Sequence, residues 1–439
     1  MSNIAFEISP LLLASGTFGD KSGVYRYYYG LIKSYGEYIK KQKINEKIIL
    51  FSFNRDLLNW PTNKEILDLI NNDVFIFINK VPMPENKKKY NFEIVKGLPK
   101  LFLKIINVFV PIKKIYFNII NRIRFNEYMN ALDIQLKRNK VIIIYHSETC
   151  FFPLKGYKNI ITIFDLTPII MSYFHRKETN DLTNRKLTFA SKYCQGIVCI
   201  SQSTKNDLTK IFPIFKSKKI VTCYPGIEPV FTKSQPLLFD EINTIVSQYA
   251  KNILIKKYLL FYSTFEPRKN VINLIQAFYE LQKNLQIPAD FKLVLLGGTG
   301  WGKVRQQVTN FIKENFPIKD KNKIILLDFI NDNYLVDLIK NAYAVVYPSY
   351  YEGFGLPVLE SMSLGTPVIC SNTSSLPEVG GDSVLYINPN DYYDIKEKIK
   401  YLVNHPAVAK KIGDLGRIQS NKFNWEKSVS QLRKFLVDL

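Results

Sequence analysis

Short runs of β-branched and aromatic residues recur along the chain, with segments of helical period between them. Ile4 to Ile8, Ile48 to Phe53, Val141 to Tyr145, Ile160 to Phe164 and Ile197 to Ile200 read as strands. They are continuous apolar runs rather than alternating ones, as suits strands buried on both faces of a parallel sheet. A second series, Leu259 to Tyr262, Leu293 to Leu296, Ile324 to Leu327, Ala344 to Tyr347 and Val368 to Cys370, follows the turn-rich Tyr224-Pro-Gly-Ile-Glu-Pro229. That turn sets the expected boundary: an N-terminal domain over 1–228, a C-terminal domain over 229–420 and a terminal segment over 421–439. The expected class is α/β, with two Rossmann-like doubly wound domains whose strand C-terminal ends face a cleft, the place where such sheets bind ligands.

Two segments stand apart from this rhythm. Asn424 is placed to cap a last helix with Trp425, Val429, Leu432 and Leu436 on one face, which predicts docking on another surface. Residues 94–126 carry seven Lys/Arg (Lys96, Lys100, Lys104, Lys113, Lys114, Arg122, Arg124) and no Asp or Glu. Leu98, Leu101, Phe102, Ile105, Ile106 and Phe109 share one helical face, with Lys96, Lys100 and Lys104 opposite. A membrane-surface helix and a core-facing helix with solvated lysines both fit. Pro111 is expected to divide this helix from a second one.

Composition narrows the classes. Of 439 residues 46% are apolar and 14% aromatic, enough to exclude disorder for most of the chain. No apolar run reaches the roughly 18 residues of a membrane span, and Met1-Ser-Asn-Ile-Ala-Phe-Glu lacks the layout of a signal peptide, so a cytoplasmic protein is expected. Five cysteines without a C-x-x-C pair and three histidines offer no zinc spacing. The formal charge of +22 suits nucleic acid, an anionic membrane or phosphorylated substrates, and the total does not choose among them.

Local chemistry chooses. Tyr347-Pro-Ser-Tyr-Tyr-Glu352-Gly353-Phe354-Gly355-Leu356-Pro357-Val-Leu-Glu360 reads as strand, glycine-bearing loop and helix. The N–H groups of Gly353, Phe354, Gly355 and Leu356 would point out of the helix N-terminus, where the dipole favours phosphate. Glu352 and Glu360 flank that position; carboxylates repel phosphate, so they suit sugar or ribose hydroxyls. A dipole complement at Glu360 and a turn end at Glu352 stay open as the plainer reading. Upstream, a strand runs into Ser263-Thr264-Phe-Glu-Pro-Arg268-Lys269-Asn270 and then a helical pattern. Arg268 can grip phosphate bidentately and Lys269 can add a point charge, a pair suited to a departing diphosphate. A surface ion pair with Glu266 is the alternative. Gly297-Gly-Thr-Gly300-Trp-Gly302 does not fit G-x-G-x-x-G and is read as shaping the rim between domains.

With these segments the chain resembles the GT-B glycosyltransferases, specifically the retaining family 4 and its bacterial mannosyltransferase-like members. The resemblance runs over nearly the whole chain. It rests on Glu266-Pro-Arg-Lys-Asn270, on Glu352 and Glu360 with seven residues between them, on Gly365-Thr-Pro-Val368 and on Ser371 to Glu378. Phe164-Asp165-Leu-Thr-Pro168, Ile200 to Leu208, Tyr224 to Glu228 and Asn424-Trp-Glu426 add support. The resemblance implies that Arg268 and Lys269 hold the donor diphosphate, that Glu360 holds ribose and Glu352 the donor sugar, and that the N-terminal domain holds the acceptor. It also implies that the last helix crosses back to the N-terminal domain. Gly16 to Arg26 resembles the family's glycine loop, which brings Gly19 into the donor set; an ordinary βα loop is the other reading.

Two positions depart from the family. Phe164 stands where His-Asp-Leu is usual, leaving Asp165 either to orient an acceptor hydroxyl or to cap the next turn. Ser263 replaces a usual glycine and, with Thr264, joins the donor set. His146 is read as a structural residue. The expected activity is retaining transfer of a hexose, mannose first, from a nucleotide-diphosphate sugar, GDP-mannose first, to a glycan or lipid-linked sugar in surface polysaccharide or glycoconjugate synthesis. No cofactor and no metal are expected, because Arg268, Lys269 and the helix N-terminus supply the positive potential and no D-x-D motif appears. The expected partners are the donor, the acceptor and an anionic membrane surface, with no nucleic acid. The rivals are a GT-B sugar-nucleotide epimerase or phosphorylase, and a non-enzymatic basic protein binding nucleic acid or membrane.

Overall fold

The computed structural model describes residues 3–14, 23–59, 64–78, 110–232, 256–316, 323–328 and 330–439. Gly19 and the amphipathic run 94–109 lie outside the described residues. The chain divides into two compact units, Met1–Lys21 with Ile39–Asn159, and Ser22–Tyr38 with Ile160–Leu439.

In the first unit β1 (Asn3–Glu7), β2 (Ile48–Phe51), β3 (Phe75–Phe77) and β4 (Val141–His146) run parallel in the order β3-β2-β1-β4. Ala5, Ile49, Phe51 and Ile144 form a core with Tyr128, Leu132 and Leu136, which recur every fourth residue on the helix Val110–Arg138. Pro111 falls in the first turn of that helix, where a missing N–H breaks no intrahelical bond. Tyr128 is buried and its hydroxyl donates to the Ser52 carbonyl at 2.6 Å.

The C-terminal ends of β1 and β4 carry buried polar groups. Glu7 Oε1 accepts from Ser9 N at 3.2 Å, from Phe53 N at 3.3 Å and from the Ser9 hydroxyl. Burial pushes its carboxyl up to about 7, with the Ser147, Ser9 and Phe53 hydrogen bonds offsetting only part. His146 Nε2 lies 2.8 Å from Asn159 Oδ1 and the ring stacks on Phe53 at 5.6 Å. Burial lowers its pKa to about 4, so the imidazole is neutral at neutral pH.

In the second unit β5 (Lys158–Ile163), which begins two residues before it, β6 (Cys194–Cys199) and β7 (Lys219–Thr222) lie in that order. A second parallel sheet contains β8 (Tyr258–Tyr262), β9 (Lys292–Leu296), β10 (Ile324–Leu327), β11 (Ala344–Tyr347), β12 (Val368–Ser371) and β13 (Leu385–Ile387). Its order is β10-β9-β8-β11-β12-β13, the 3-2-1-4-5-6 arrangement of a doubly wound sheet. The order reverses between β8 and β11, so the loops leaving their C-terminal ends diverge and open a crevice. The helix Trp425–Val437 is capped by Asn424 Oδ1, which accepts from Lys427 N at 3.0 Å. It packs closely because its neighbours are glycines: a Cβ at Gly30 would sit 2.3 Å from the Trp425 ring, and one at Gly196 would sit 2.8 Å from Phe435.

The buried Glu7 generates a pH dependence of stability. Its native carboxyl keeps a proton up to about pH 7, whereas the unfolded one releases it near 4.5. The native state therefore binds more protons between these values, and the contribution is fully present below about 4.5 and lost as pH rises through about 7. Glu7→Gln removes this slope. Urea midpoints measured at pH 5 and pH 8 should differ less in the variant than in the parent, and equal differences would contradict the assignment.

Candidate functional site

The site is built on the two loops that leave the reversal point. After β8, Phe265 pairs with Thr299 and residues Pro267–Lys269 form one 3-10 turn. Asn270 ends it at φ 59, a left-handed conformation that asparagine tolerates better than most residues. Its amide donates to the carbonyls of Pro348 at 3.1 Å and Pro389 at 2.7 Å, fixing one loop to the next. The turn aims Arg268 and Lys269 at Glu352 in the loop after β11. Arg268 Nη1 donates to Glu352 Oε2 at 2.9 Å and to the Tyr351 carbonyl at 3.0 Å, while its Nε reaches Glu266 Oε2 at 3.0 Å. Lys269 Nζ donates to Glu352 Oε1 and to the Tyr347 hydroxyl, both at 2.7 Å. The Glu266 pair that the sequence left as an alternative is thus present alongside the pair with Glu352.

Burial makes this cluster electrostatically strong. Lys269 is 4% exposed, Glu352 6% and Glu266 7%. Burial alone would raise the Glu352 carboxyl, but Arg268 and Lys269 outweigh it and hold the group at about 2. Glu266 shifts upward through burial, and Lys269 shifts downward through burial and the adjacent Arg268 charge. For Arg268, Glu352, Glu266 and Asp165 more than offset burial and raise its pKa. Among the described residues the Arg268 bonds use Nε and Nη1, and none uses Nη2.

The loop 352–355 is held by backbone anchors. Ser374 Oγ accepts from Glu352 N at 2.8 Å, and Ser375 Oγ donates to the carbonyls of Glu352 at 2.9 Å and Phe354 at 2.8 Å. Gly355 sits at φ 101 as the cap of the helix Leu356–Ser363, and a Cβ there would meet Leu376 at 2.5 Å. A Cβ at Gly353 would meet the Phe164 carbonyl at 2.5 Å. Among the described residues no hydrogen bond uses the N–H of Gly353, Phe354, Gly355 or Leu356. Those groups stand at the N-terminus of the helix Leu356–Ser363, where the sequence places an anion.

Glu360 is buried behind this loop. Tyr262 donates to its Oε2 at 3.2 Å, and Arg26 Nη1 donates to Oε1 at 2.8 Å while Nη2 reaches Asp332 at 2.7 Å. Burial raises the Glu360 pKa, and Arg26 and Tyr262 counter only part of that. Arg26 closes the Gly16 to Arg26 segment, and no role is expected of it from the sequence. Its partner is more than 300 residues away, so no local spacing marks it.

The remaining expected residues fall as follows. Asp165 Oδ1 accepts from Thr167 N at 2.9 Å and caps that turn, while its charge still acts on Arg268. Ser263 N donates to the Leu296 carbonyl at 3.0 Å, its side chain engages Tyr347, and Thr264 is exposed. The Phe164 ring packs on Tyr27 at 5.3 Å and Tyr28 at 5.7 Å, an apolar setting that suits phenylalanine. Glu378, part of the Ser371 to Glu378 signature, accepts from Gln202 N and Ser203 N at 2.9 Å each, complementing the N-terminus of the helix Gln202–Ile211.

Residues 249–419 match the family of glycosyl transferases group 1. The O-antigen chain mannosyltransferase B of Escherichia coli is 29% identical over 290 residues, covering 66% of this chain and 72% of that protein. The serotype-specific mannosyltransferase WbdA of Escherichia coli is 26% identical over 273 residues, covering 61% of this chain, which spans only 32% of WbdA. Sucrose-phosphate synthase from Thermosynechococcus elongatus superimposes with a TM-score of 0.66 at 17% identity over 100% of this chain and 99% of that one. At that identity the likeness speaks for the fold alone, two Rossmann-like domains. The group 1 match, by contrast, covers the segment that builds the Arg268, Lys269 and Glu352 centre, and there the chain is similar to the group 1 glycosyl transferases and carries their GT-B fold, with family 4 likeness among them.

Proposed function

We propose that the protein is a retaining family 4 hexosyltransferase that moves mannose from GDP-mannose to a glycan or lipid-linked sugar acceptor in surface polysaccharide synthesis. The observation that carries this reading is the buried Glu352 carboxylate gripped by Arg268 and Lys269 at the reversal point of the sheet. The likeness to the O-antigen chain mannosyltransferase B supports the sugar and the product class.

In this reading Arg268 Nη2, Lys269 and the N–H groups of 353–356 take the diphosphate, Glu352 accepts from donor-sugar hydroxyls and Glu360 from ribose hydroxyls. The bond from the anomeric carbon to phosphate breaks with its electron pair going to the phosphate oxygen. The acceptor oxygen forms the new bond on the same face, and its proton passes to the departing phosphate. Charge grows on the leaving oxygen, and fixed cations in a water-poor site oppose that growth best. They also supply what a divalent ion would, so we infer metal independence. Asp165 remains the candidate for orienting the acceptor hydroxyl.

Arg26 acts on Glu360. Burial favours the protonated carboxyl, which accepts hydrogen bonds poorly, and the Arg26 guanidinium counters that. Acceptor delivery on a lipid would give the basic residues Lys96, Lys100 and Lys104 a purpose, attraction to an anionic surface. Among the described residues no helix is long and apolar enough to cross a membrane.

Glu352→Gln and Lys269→Met, chosen to keep side-chain volume, should each lower kcat for mannosyl transfer by about 100-fold or more while EDTA leaves the parent rate unchanged. Near-normal turnover in either folded variant would refute the site, and acceptor-free epimerisation of the donor would refute the reaction. Arg26→Gln should raise the KM for GDP-mannose, and more so at pH 6 than at pH 8, because Glu360 then protonates more easily as pH falls; a pH-independent rise would remove Arg26 from that role. Replacing Lys96, Lys100 and Lys104 with serine should abolish sedimentation with phosphatidylglycerol vesicles at low salt, and unchanged sedimentation would end the membrane proposal.

A further inference from the structure

The segment Gly297 to Gly302 is not used by the site just described, yet it borders a cavity of about 610 Å³ in the second unit. Tyr173, Phe174 and His175 line one part of this cavity and Trp301 and Lys303 another, with Pro267, the residue before Arg268, in the wall. The glycines explain how Trp301 is presented. A Cβ at Gly300 would fall 2.5 Å from the Phe265 carbonyl, and one at Gly302, itself at φ +76, would fall 2.6 Å from Pro267. Only a loop without side chains at these positions presses onto the Phe265–Pro267 turn and carries the indole to the edge of the donor centre.

The aromatic groups are fixed. Trp301 Nε1 donates to the Phe174 carbonyl, so the indole N–H is committed to the protein. The His175 ring lies 5.5 Å from the indole, Tyr173 lies 4.3 Å from Phe174, and Phe174 stacks on Tyr350 at 5.7 Å. Tyr173 is nonetheless 75% exposed. One polar atom is unused: among the described residues nothing bonds to His175 Nε2, although it is buried. The charges of Asp165 and Arg268 both act on this imidazole, which ties it to the donor centre.

We propose that this cavity is a carbohydrate subsite in which a pyranose ring of the acceptor glycan stacks on Trp301 and Tyr173 and hydrogen-bonds His175 Nε2. The proposal rests on the glycosyltransferase reading and adds the residues that select the acceptor. A pyranose ring is amphipathic, with an apolar C–H face for an aromatic plane and hydroxyls at its edge for one buried polar group. The same lining carries Arg176, Thr299, Lys303, Arg305 and Gln306, so aromatic planes for the ring face stand beside side-chain donors for its hydroxyls.

The test uses the full-length protein with α-linked mannotetraose as probe. Mannotetraose alone should quench tryptophan fluorescence, and Trp301→Phe should remove the response while Trp425, on the helix that buries Val429 and Leu432, still reports the fold through its indole. Tyr173→Ala, on an exposed side chain, and His175→Ala should each weaken binding and raise the acceptor KM by about tenfold, with the donor KM unmoved. Absence of quenching in the parent, quenching by inorganic pyrophosphate in place of mannotetraose, or unchanged acceptor KM in both variants would each overturn the subsite. Failure of the glycosyltransferase reading has a different signature, no GDP release from GDP-mannose by the parent in the presence of any acceptor.

Discussion

Everything at the donor centre depends on one buried carboxylate held by two cations. Glu352 meets Lys269 and Arg268 at 2.7 and 2.9 Å where little water reaches any of them. An isolated charge in that setting costs several kcal/mol, so neither the cations nor the carboxylate can be buried alone. Doubly wound topology solves this by setting β8 beside β11 while sending their following loops apart. One loop brings the cations and the other the carboxylate, and Glu266 completes the charge balance. The positive groups are oriented before any ligand arrives, and in the proposed function that preorganisation opposes the negative charge growing on a departing diphosphate.

Orientation in turn depends on backbone anchors rather than on the charged residues themselves. Asn270 ties its turn to two carbonyls across the crevice, and Ser374 and Ser375 hold the backbone of 352–354. Close approach requires glycine at 353 and 355 on one side and at 300 and 302 on the other. The motifs that look like chemistry in the sequence are therefore partly scaffolding. Glu378, inside a family signature, serves a helix N-terminus, and Asp165 spends one oxygen on a turn.

Much of the fold is legible in the chain's hydrophobic pattern, and the parts that are not share a cause. β3, β7 and β13 escape the pattern, and each is the last strand in its run of the sheet order. Such strands are short and only half buried, as the exposed Lys219 at the start of β7 shows, so their sequences lack the continuous apolar run that marks an inner strand. Among site residues, Arg268, Lys269, Glu352 and Glu360 are visible because each lies in a strand-loop-helix passage with a dense local signature.

Arg26 is invisible for the opposite reason: its contacts with Glu360 and Asp332 cross more than 300 residues, and one arginine in a tyrosine-rich helix carries no local mark. The aromatic cavity is similar, since Tyr173 and Trp301 come from loops far apart in the chain. The sequence by itself determines which strands are buried, where loops meet helices and which charges sit at those junctions, because apolar periodicity and glycine placement act over neighbouring residues. Only the tertiary structure decides that Glu352 is shared by two cations, that Arg26 pairs with Glu360 and that Trp301 lies beside His175. These are distances between segments, and they follow from strand order, which no local pattern encodes.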